Sequence, residues 1–258
     1  MRRPWPRPVA VIIGSDEIGS AIAIAFDRLG YAVVICDEVD PPWSRRGMAF
    51  TDAWYYGNAN LDGATAVFCA TVKSIPAVLD RPGLIAATTW SWGGAALTLP
   101  AAVVVAATPG LRRPPVDLRA RAAGRFRTIG IGSLYASGHN ADLAIDCPEA
   151  AAGGVTARNA GRFATACRIG ERARRGQVVG VIGNAPVYAP RDGVLVGLPA
   201  RGAAVREGDV VLEVEALDDP AICFGVDARG AGLGRAVIAA LGRDDAATAG
   251  RAAPVIGA

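Results

Sequence analysis

The sequence predicts an α/β protein, with a parallel sheet in its N-terminal part and a β-rich unit after it. Three observations predict this class. Val9–Gly14 is an apolar strand that runs into a glycine turn and then an apolar helix. Ala32-Val33-Val34-Ile35 is a short β-branched run of the kind buried on both faces of a parallel sheet. Val187–Val214 breaks into short alternating strands separated by Asp192-Gly193, Gly202 and Glu207-Gly208-Asp209. A strand, a glycine turn and a helix start in that order form the opening unit of a Rossmann-like sheet, assigned here to residues 8–127. Residues 128–240 are assigned to the β-rich domain, and the Ala/Gly/Asp-rich residues 241–258 to a flexible tail.

Each element follows from its pattern. In the first helix Ala21, Ile22, Ala25, Phe26 and Leu29 recur at helical spacing, Asp27 and Arg28 lie on the outer side, and Gly30 stops it. Ala64–Cys69 reads as a strand, and Val72–Leu79 as a short helix interrupted at Pro76. From Pro82 to Leu111 no residue is charged, long enough to suggest a membrane span. Gly93-Gly94, Pro100 and Pro109-Gly110 punctuate it, however, so it reads as two buried strands, Leu84–Thr88 and Ala102–Ala107, joined by a loop. Pro109–Arg125 turns proline- and arginine-rich, a boundary signal, and Thr128–Gly132 is a strand ending in glycines.

Composition narrows the function classes. The 258 residues are 52% hydrophobic with a net charge of +3, so nothing calls for nucleic acid. Five scattered cysteines without a C-x-x-C pattern fit neither a disulfide framework nor a metal cluster, and the proline-broken start Met1-Arg2-Arg3-Pro4 is no signal peptide. A cytoplasmic protein, neither membrane-bound nor nucleic-acid-bound, is the expectation. His139 is the single histidine, so any metal site would have to come from Asp, Glu or Cys; no metal ligand and no catalytic residue is assigned.

The glycine turn carries the chemistry. In the spacing G-x-G-x-x-G, Gly14 and Gly19 take the outer positions and Asp16 the middle one, where its carboxylate conflicts with a pyrophosphate. Asp37 lies about 20 residues after the turn, where a ribose hydroxyl would be held, or it begins a polar loop. Arg45-Arg46 follow the second strand, as phosphate-binding forks or as a solvated turn. The candidate ligand-binding set is Gly14, Ser15, Asp16, Glu17, Gly19, Asp37, Arg45, Arg46, Gly130 and Gly132.

The spacing A-P-x-D-G followed by V-x-x-G-D-x-V resembles half of a barrel-sandwich hybrid, the fold of biotinyl and lipoyl carriers, over residues 176–215. No lysine follows Lys73, so an amide-linked prosthetic arm is impossible there. The whole chain resembles the selenium-dependent molybdenum hydroxylase system proteins, distantly related to xanthine dehydrogenase accessory factors. The likeness lies in Ile13–Ala21, in Asp37 through Arg45-Arg46, Phe50, Ala53 and Gly57, in the Ile129–Gly138 loop, and in Tyr188–Val214 with Arg229-Gly230. That resemblance implies a maturation factor for a molybdenum- or tungsten-pterin enzyme. It would bind a molybdopterin-type or nucleotide ligand, with a client metalloenzyme as partner, in a homo-oligomer or hetero-complex. Cys36 would be the best-placed sulfur carrier. A non-catalytic assembly or structural subunit and an NAD(P)-linked oxidoreductase are the alternatives.

Overall fold

A computed structural model describes residues 7–107, 116–147 and 154–252, with side chains as far as Gly242. The large sheet is built from β1 (Val9–Ile13), β2 (Ala32–Cys36), β3 (Asn58–Leu61), β4 (Ala64–Phe68), β5 (Leu84–Thr88), β6 (Ala101–Ala106), β7 (Arg127–Ile131) and β8 (Leu143–Ile145). Their order is β3-β4-β5-β2-β1-β6-β7-β8, parallel throughout except for the β3–β4 hairpin. Helices α1 (Glu17–Arg28), α2 (Ala53–Tyr56), α3 (Ile75–Leu79), α4 (Trp92–Thr98), α5 (Leu118–Ala122) and α6 (Ala228–Ala252) cover its two faces. The protein is thus α/β, as its sequence predicts.

Strand periodicity divides the core. Ala10 and Ile12 of β1 face one cluster, with Ile18, Ile22 and Phe26 of α1; Val9, Val11 and Ile13 face the other, with Ile75 of α3 and Ala95 of α4. All five residues of β1 and of β2 are buried, which is why both read as continuous apolar runs. Burying a side chain such as Phe26 or Phe50, both fully enclosed, contributes roughly 2–3 kcal/mol.

The structure departs from the sequence reading in several places. The uncharged run forms β5, α4 and β6, with a helix where a loop was expected, because the Ser91 hydroxyl accepts from the Gly94 N–H and starts a turn. Residues 108–111 of that run lie outside the described residues. Pro76 does not break its helix: a 3₁₀ turn at Val72–Ser74 leads into α3, and the proline occupies the first turn, where no N–H is needed. Residues 128–145, assigned from sequence to the second domain, supply β8 and all of β7 but Arg127 to the large sheet. Helix α6 runs through 241–252, the stretch read as a flexible tail, while 253–258 lie outside the described residues. Among the described residues, no helix is long and apolar enough to cross a membrane.

The remaining strands form a smaller unit of two antiparallel sheets. These strands are β9 (Val155–Thr156), β10 (Gly161–Ala164), β11 (Arg172–Ala173), β12 (Val178–Ile182), β13 (Ala185–Tyr188), β14 (Gly193–Gly197), β15 (Ala204–Val205) and β16 (Val210–Glu215). One sheet runs β13-β12-β10-β15 and the other β11-β14-β16-β9, with Phe163, Leu195, Leu198 and Leu212 buried together. From this unit α6 returns to the large sheet and lies along α1. Gly230 and Gly234 face Ala21 and Ala25, where a Cβ would come within 2.9 and 3.1 Å of the alanine methyls. Leu233, Val237 and Leu241 of α6 complete the core on that side.

Candidate functional site

Strands β1 and β6 are neighbours, yet the chain leaves them towards opposite faces, to α1 after β1 and to α5 after β6. In open α/β sheets such a switch point is where a crevice forms beyond the strand ends. Here the turn after β1 is held by its own side chains. Gly14 adopts a φ of +112°, which glycine tolerates, and donates its N–H to the Cys36 carbonyl at 3.0 Å. Asp16 is the N-cap of α1, its carboxylate accepting from the Gly19 N–H at 2.7 Å. A helix start that would otherwise offer donors to an anion is therefore occupied from within.

Asp37 closes the turn from the other side. It accepts from the Ser15 N–H, the Glu38 N–H and the Trp43 Nε1–H, each at 2.7 Å. With these bonds and 5% exposure it is a structural pin of the turn. The Ser15 carbonyl accepts from the Thr51 hydroxyl at 2.7 Å and the Ser20 hydroxyl at 3.2 Å. The Ser15 hydroxyl itself is fully buried and has no hydrogen-bond partner.

The arginines are also engaged. Arg45 donates from Nε to Glu213 at 2.8 Å and reaches Glu215 at 3.2 Å. Arg46 donates from Nε to the Leu198 carbonyl at 2.9 Å and pairs with Asp52. The Ser44 hydroxyl donates to Glu213 at 2.6 Å, and the Leu198 N–H donates to the Ser44 carbonyl at 2.8 Å. The loop after β2 is thereby fastened to β14 and β16 along a seam between the large sheet and the smaller unit. Arg206–Glu38 and Arg162–Asp40 ion pairs line its rim.

Seven of the ten candidate residues thus gather around the start of α1: Gly14, Ser15, Asp16, Glu17, Gly19, Asp37 and Arg45. Arg46 sits beside them, directed to Asp52 and Leu198. Gly130 and Gly132 do not join them, since β6 separates β7 from β1. At Gly130 a Cβ would lie 2.0 Å from Tyr135 Cγ, so the tyrosine fills the space assigned to a ligand. Gly132 donates its N–H to the Ile145 carbonyl at 2.9 Å. His139 lies in an exposed loop. Trp43, Ser20, Thr51, Glu213, Glu215 and Arg229 belong to the cluster and were missed. The Glu213-Val-Glu215 spacing, two acids on one face of a strand, was the readable signal.

The electrostatics are acidic. Burial, aided by the charges of Glu17 and Asp37, raises the Asp16 carboxyl well above its ordinary 3.8, outweighing the bond from Gly19. Burial likewise raises Glu17, with Glu213 adding to the shift while Arg45 and Arg229 oppose it. Burial works against the charge of Arg45, but Glu213, Glu17 and Glu215 outweigh it and raise its pKa. Burial, and then Asp37, push the Cys36 thiol far up, which removes the thiolate a sulfur carrier requires. Among the described residues no group of three or more His, Cys, Asp or Glu side chains could hold a metal ion.

No family model and no curated protein matches the chain. Several solved structures are similar to it at low levels, among them the following three. An aspartoacylase family protein from Mesorhizobium loti is 10% identical with a TM-score of 0.28, over 82% of this chain and 86% of that one. An ectoine utilization protein from Ruegeria pomeroyi is 13% identical with a TM-score of 0.25, over 76% and 62%. A succinylglutamate desuccinylase/aspartoacylase from Rhodobacter sphaeroides is 13% identical with a TM-score of 0.27, over 81% and 85%. Scores this low carry no argument about this chain's chemistry. The findings do correct the sequence reading: the similar structures are of aspartoacylase and desuccinylase type, and the resemblance to molybdenum hydroxylase system proteins is not sustained. The pterin-enzyme maturation role is withdrawn with it, as are the assembly-subunit and NAD(P)-oxidoreductase alternatives.

Proposed function

We propose that the chain binds a small molecule carrying positive charge or several hydrogen-bond donors, at the carboxyl edge of the large sheet between the start of α1 and the smaller unit. One observation carries this reading: the Asp16–Glu17 carboxyl pair stands at the β1/β6 switch point, next in sequence to the buried, unpartnered Ser15 hydroxyl. Buried carboxyls with displaced protonation are enriched at functional sites, and switch points are where α/β sheets take ligands. An anion would meet Asp16, Glu17 and Asp37 at this point, whereas an amine or guanidine would meet acceptors. The strand order supports reading the large sheet as Rossmann-like. Two small sheets around one core support reading the second unit as barrel-sandwich-like. Five cysteines outside any disulfide support a cytoplasmic setting.

The test is thermal unfolding with millimolar polyamines, amino alcohols and guanidines, against phosphate and nucleotides. A ligand at a hundred times its Kd adds about 2.7 kcal/mol, roughly 5–10 °C in Tm for a chain of this size. Stabilisation by a cationic compound that is lost in the D16N/E17Q variant is expected. Stabilisation by phosphate or nucleotide alone would overturn the reading.

A further inference from the structure

We propose that the chain forms a two-fold dimer through β3, the outer strand of the large sheet, which pairs antiparallel with β3 of a second copy. Within the hairpin, Ala59 faces Ala66 and Asn58 faces Val67. The Phe68 N–H donates to the Gly57 carbonyl at 2.8 Å, and bonded positions alternate along an antiparallel pair. Ala59 and Leu61 are therefore bonded to β4, while the N–H and C=O of Asn58 and Asn60 point away from it. Both asparagines are exposed, and among the described residues none bonds these backbone groups. Such an open edge is a template for another strand. The other sheet edges are closed. On β8 the Ala144 N–H donates to the Ser137 hydroxyl at 2.7 Å. On β13 the position after the turn pair Ile182–Ala185 is Pro186, which has no N–H to offer. Strands β9, β11 and β15 are each two residues long. The sequence of β3, Asn-Ala-Asn-Leu, carries no charge and no proline, and its register has no bulge.

A self-complementary register makes a second copy the partner. A two-fold axis at Ala59 sets Asn58 against the partner's Asn60, and Asn60 against the partner's Asn58, each pair exchanging both backbone bonds. The two asparagine side chains of a pair lie on the face opposite buried Ala59 and Leu61, and each amide holds a donor and an acceptor for the other. Leu61 stands against the partner's Gly57, which has no side chain to clash, and Tyr56 against the partner's Asp62, so no like charges meet along the strand. Four-residue strands alone are too small for the roughly 1,200–2,000 Å² that a stable interface buries. Apolar surface flanks them. Tyr56 precedes β3, and Ile222 and Phe224 lie just before Val226, whose N–H donates to Asp62 at 3.4 Å; all three side chains are more than half exposed. The two-fold brings Tyr56 of one copy to the turn end of the other, where that segment lies.

Sedimentation velocity of the full-length, ligand-free protein over micromolar concentrations tests this. Wild type should sediment as a dimer. N58D/N60D sets aspartate against aspartate in both pairs, and N58K/N60K sets lysine against lysine; each should raise the dissociation constant about tenfold or more. Mixed in equal amounts, the two variants should associate again, aspartate against lysine, which also shows that each is folded. Three results would each overturn the proposal: a wild type that stays monomeric, a dimer undiminished in N58D/N60D, or variants that fail to associate on mixing.

Discussion

Replacing Gly19 by alanine separates two explanations of the glycine turn. Helix propensity alone favours the change by about 0.5–1 kcal/mol, since glycine is a poor helix residue. The structure reverses the sign. A Cβ at Gly19 would stand 2.1 Å from the Gly14 carbonyl oxygen and 2.9 Å from its carbon, so α1 and the turn would have to separate by about 1 Å. Neither side yields cheaply, because Gly14 is bonded to Cys36 and α1 is clamped between the sheet and α6. Overpacking of this kind costs roughly 1–3 kcal/mol. With backbone on both sides of the clash we take about 3, which leaves a net loss of about 2 kcal/mol. In α6, Gly232→Ala is the control: the nearest atom to its Cβ would be the Arg235 guanidinium at 3.9 Å, so a gain of about 1 kcal/mol is expected. Urea unfolding of G19A, G232A and wild type gives both signs in one assay. A G19A protein as stable as wild type would refute the claim that Gly19 is fixed by packing.

Two further outcomes are expected. Asp37→Ala leaves three N–H donors without their acceptor, so a loss of about 3–5 kcal/mol in chemical unfolding and a red-shifted Trp43 emission should follow; a loss under about 1 kcal/mol would show that the pin is dispensable. Cys36, 3% exposed and with its thiol raised by burial and Asp37, should resist alkylation at pH 8 in native protein and react after unfolding; labelling as fast as half-buried Cys167 would contradict this.

The β1–α1–β2 segment was legible because its periods are clean and its helix carries an acid at the start, Arg28 at the end and a glycine stop. Helix α4 was not, because Gly93-Gly94 masked the Ser91 cap, and its two buried residues, the adjacent alanines Ala95 and Ala96, give no helical period. The β3–β4 hairpin was readable and missed: Asp62-Gly63, with φ of +47° and +86°, is a tight-turn dipeptide. At the site, the charge conflict of Asp16 was evident from sequence, but not that Asp16 serves as a cap. Arg45 illustrates the limit, since its partners lie 168 and 170 residues away and no local pattern names them. The Gly130 cradle failed for a similar reason: glycines announce room for something, and here that something is Tyr135.

Helix α6 has a bearing on biogenesis. The side of α1 that carries Ala21 and Ala25 finds its cover only when α6, much later in the chain, has been made. Until then the nascent chain carries an uncovered greasy strip on its first layer, and native assembly waits on one of the most sequence-distant pairings it contains. Chains halted before residue 228 should therefore cling to holdase chaperones, and release should coincide with the arrival of α6.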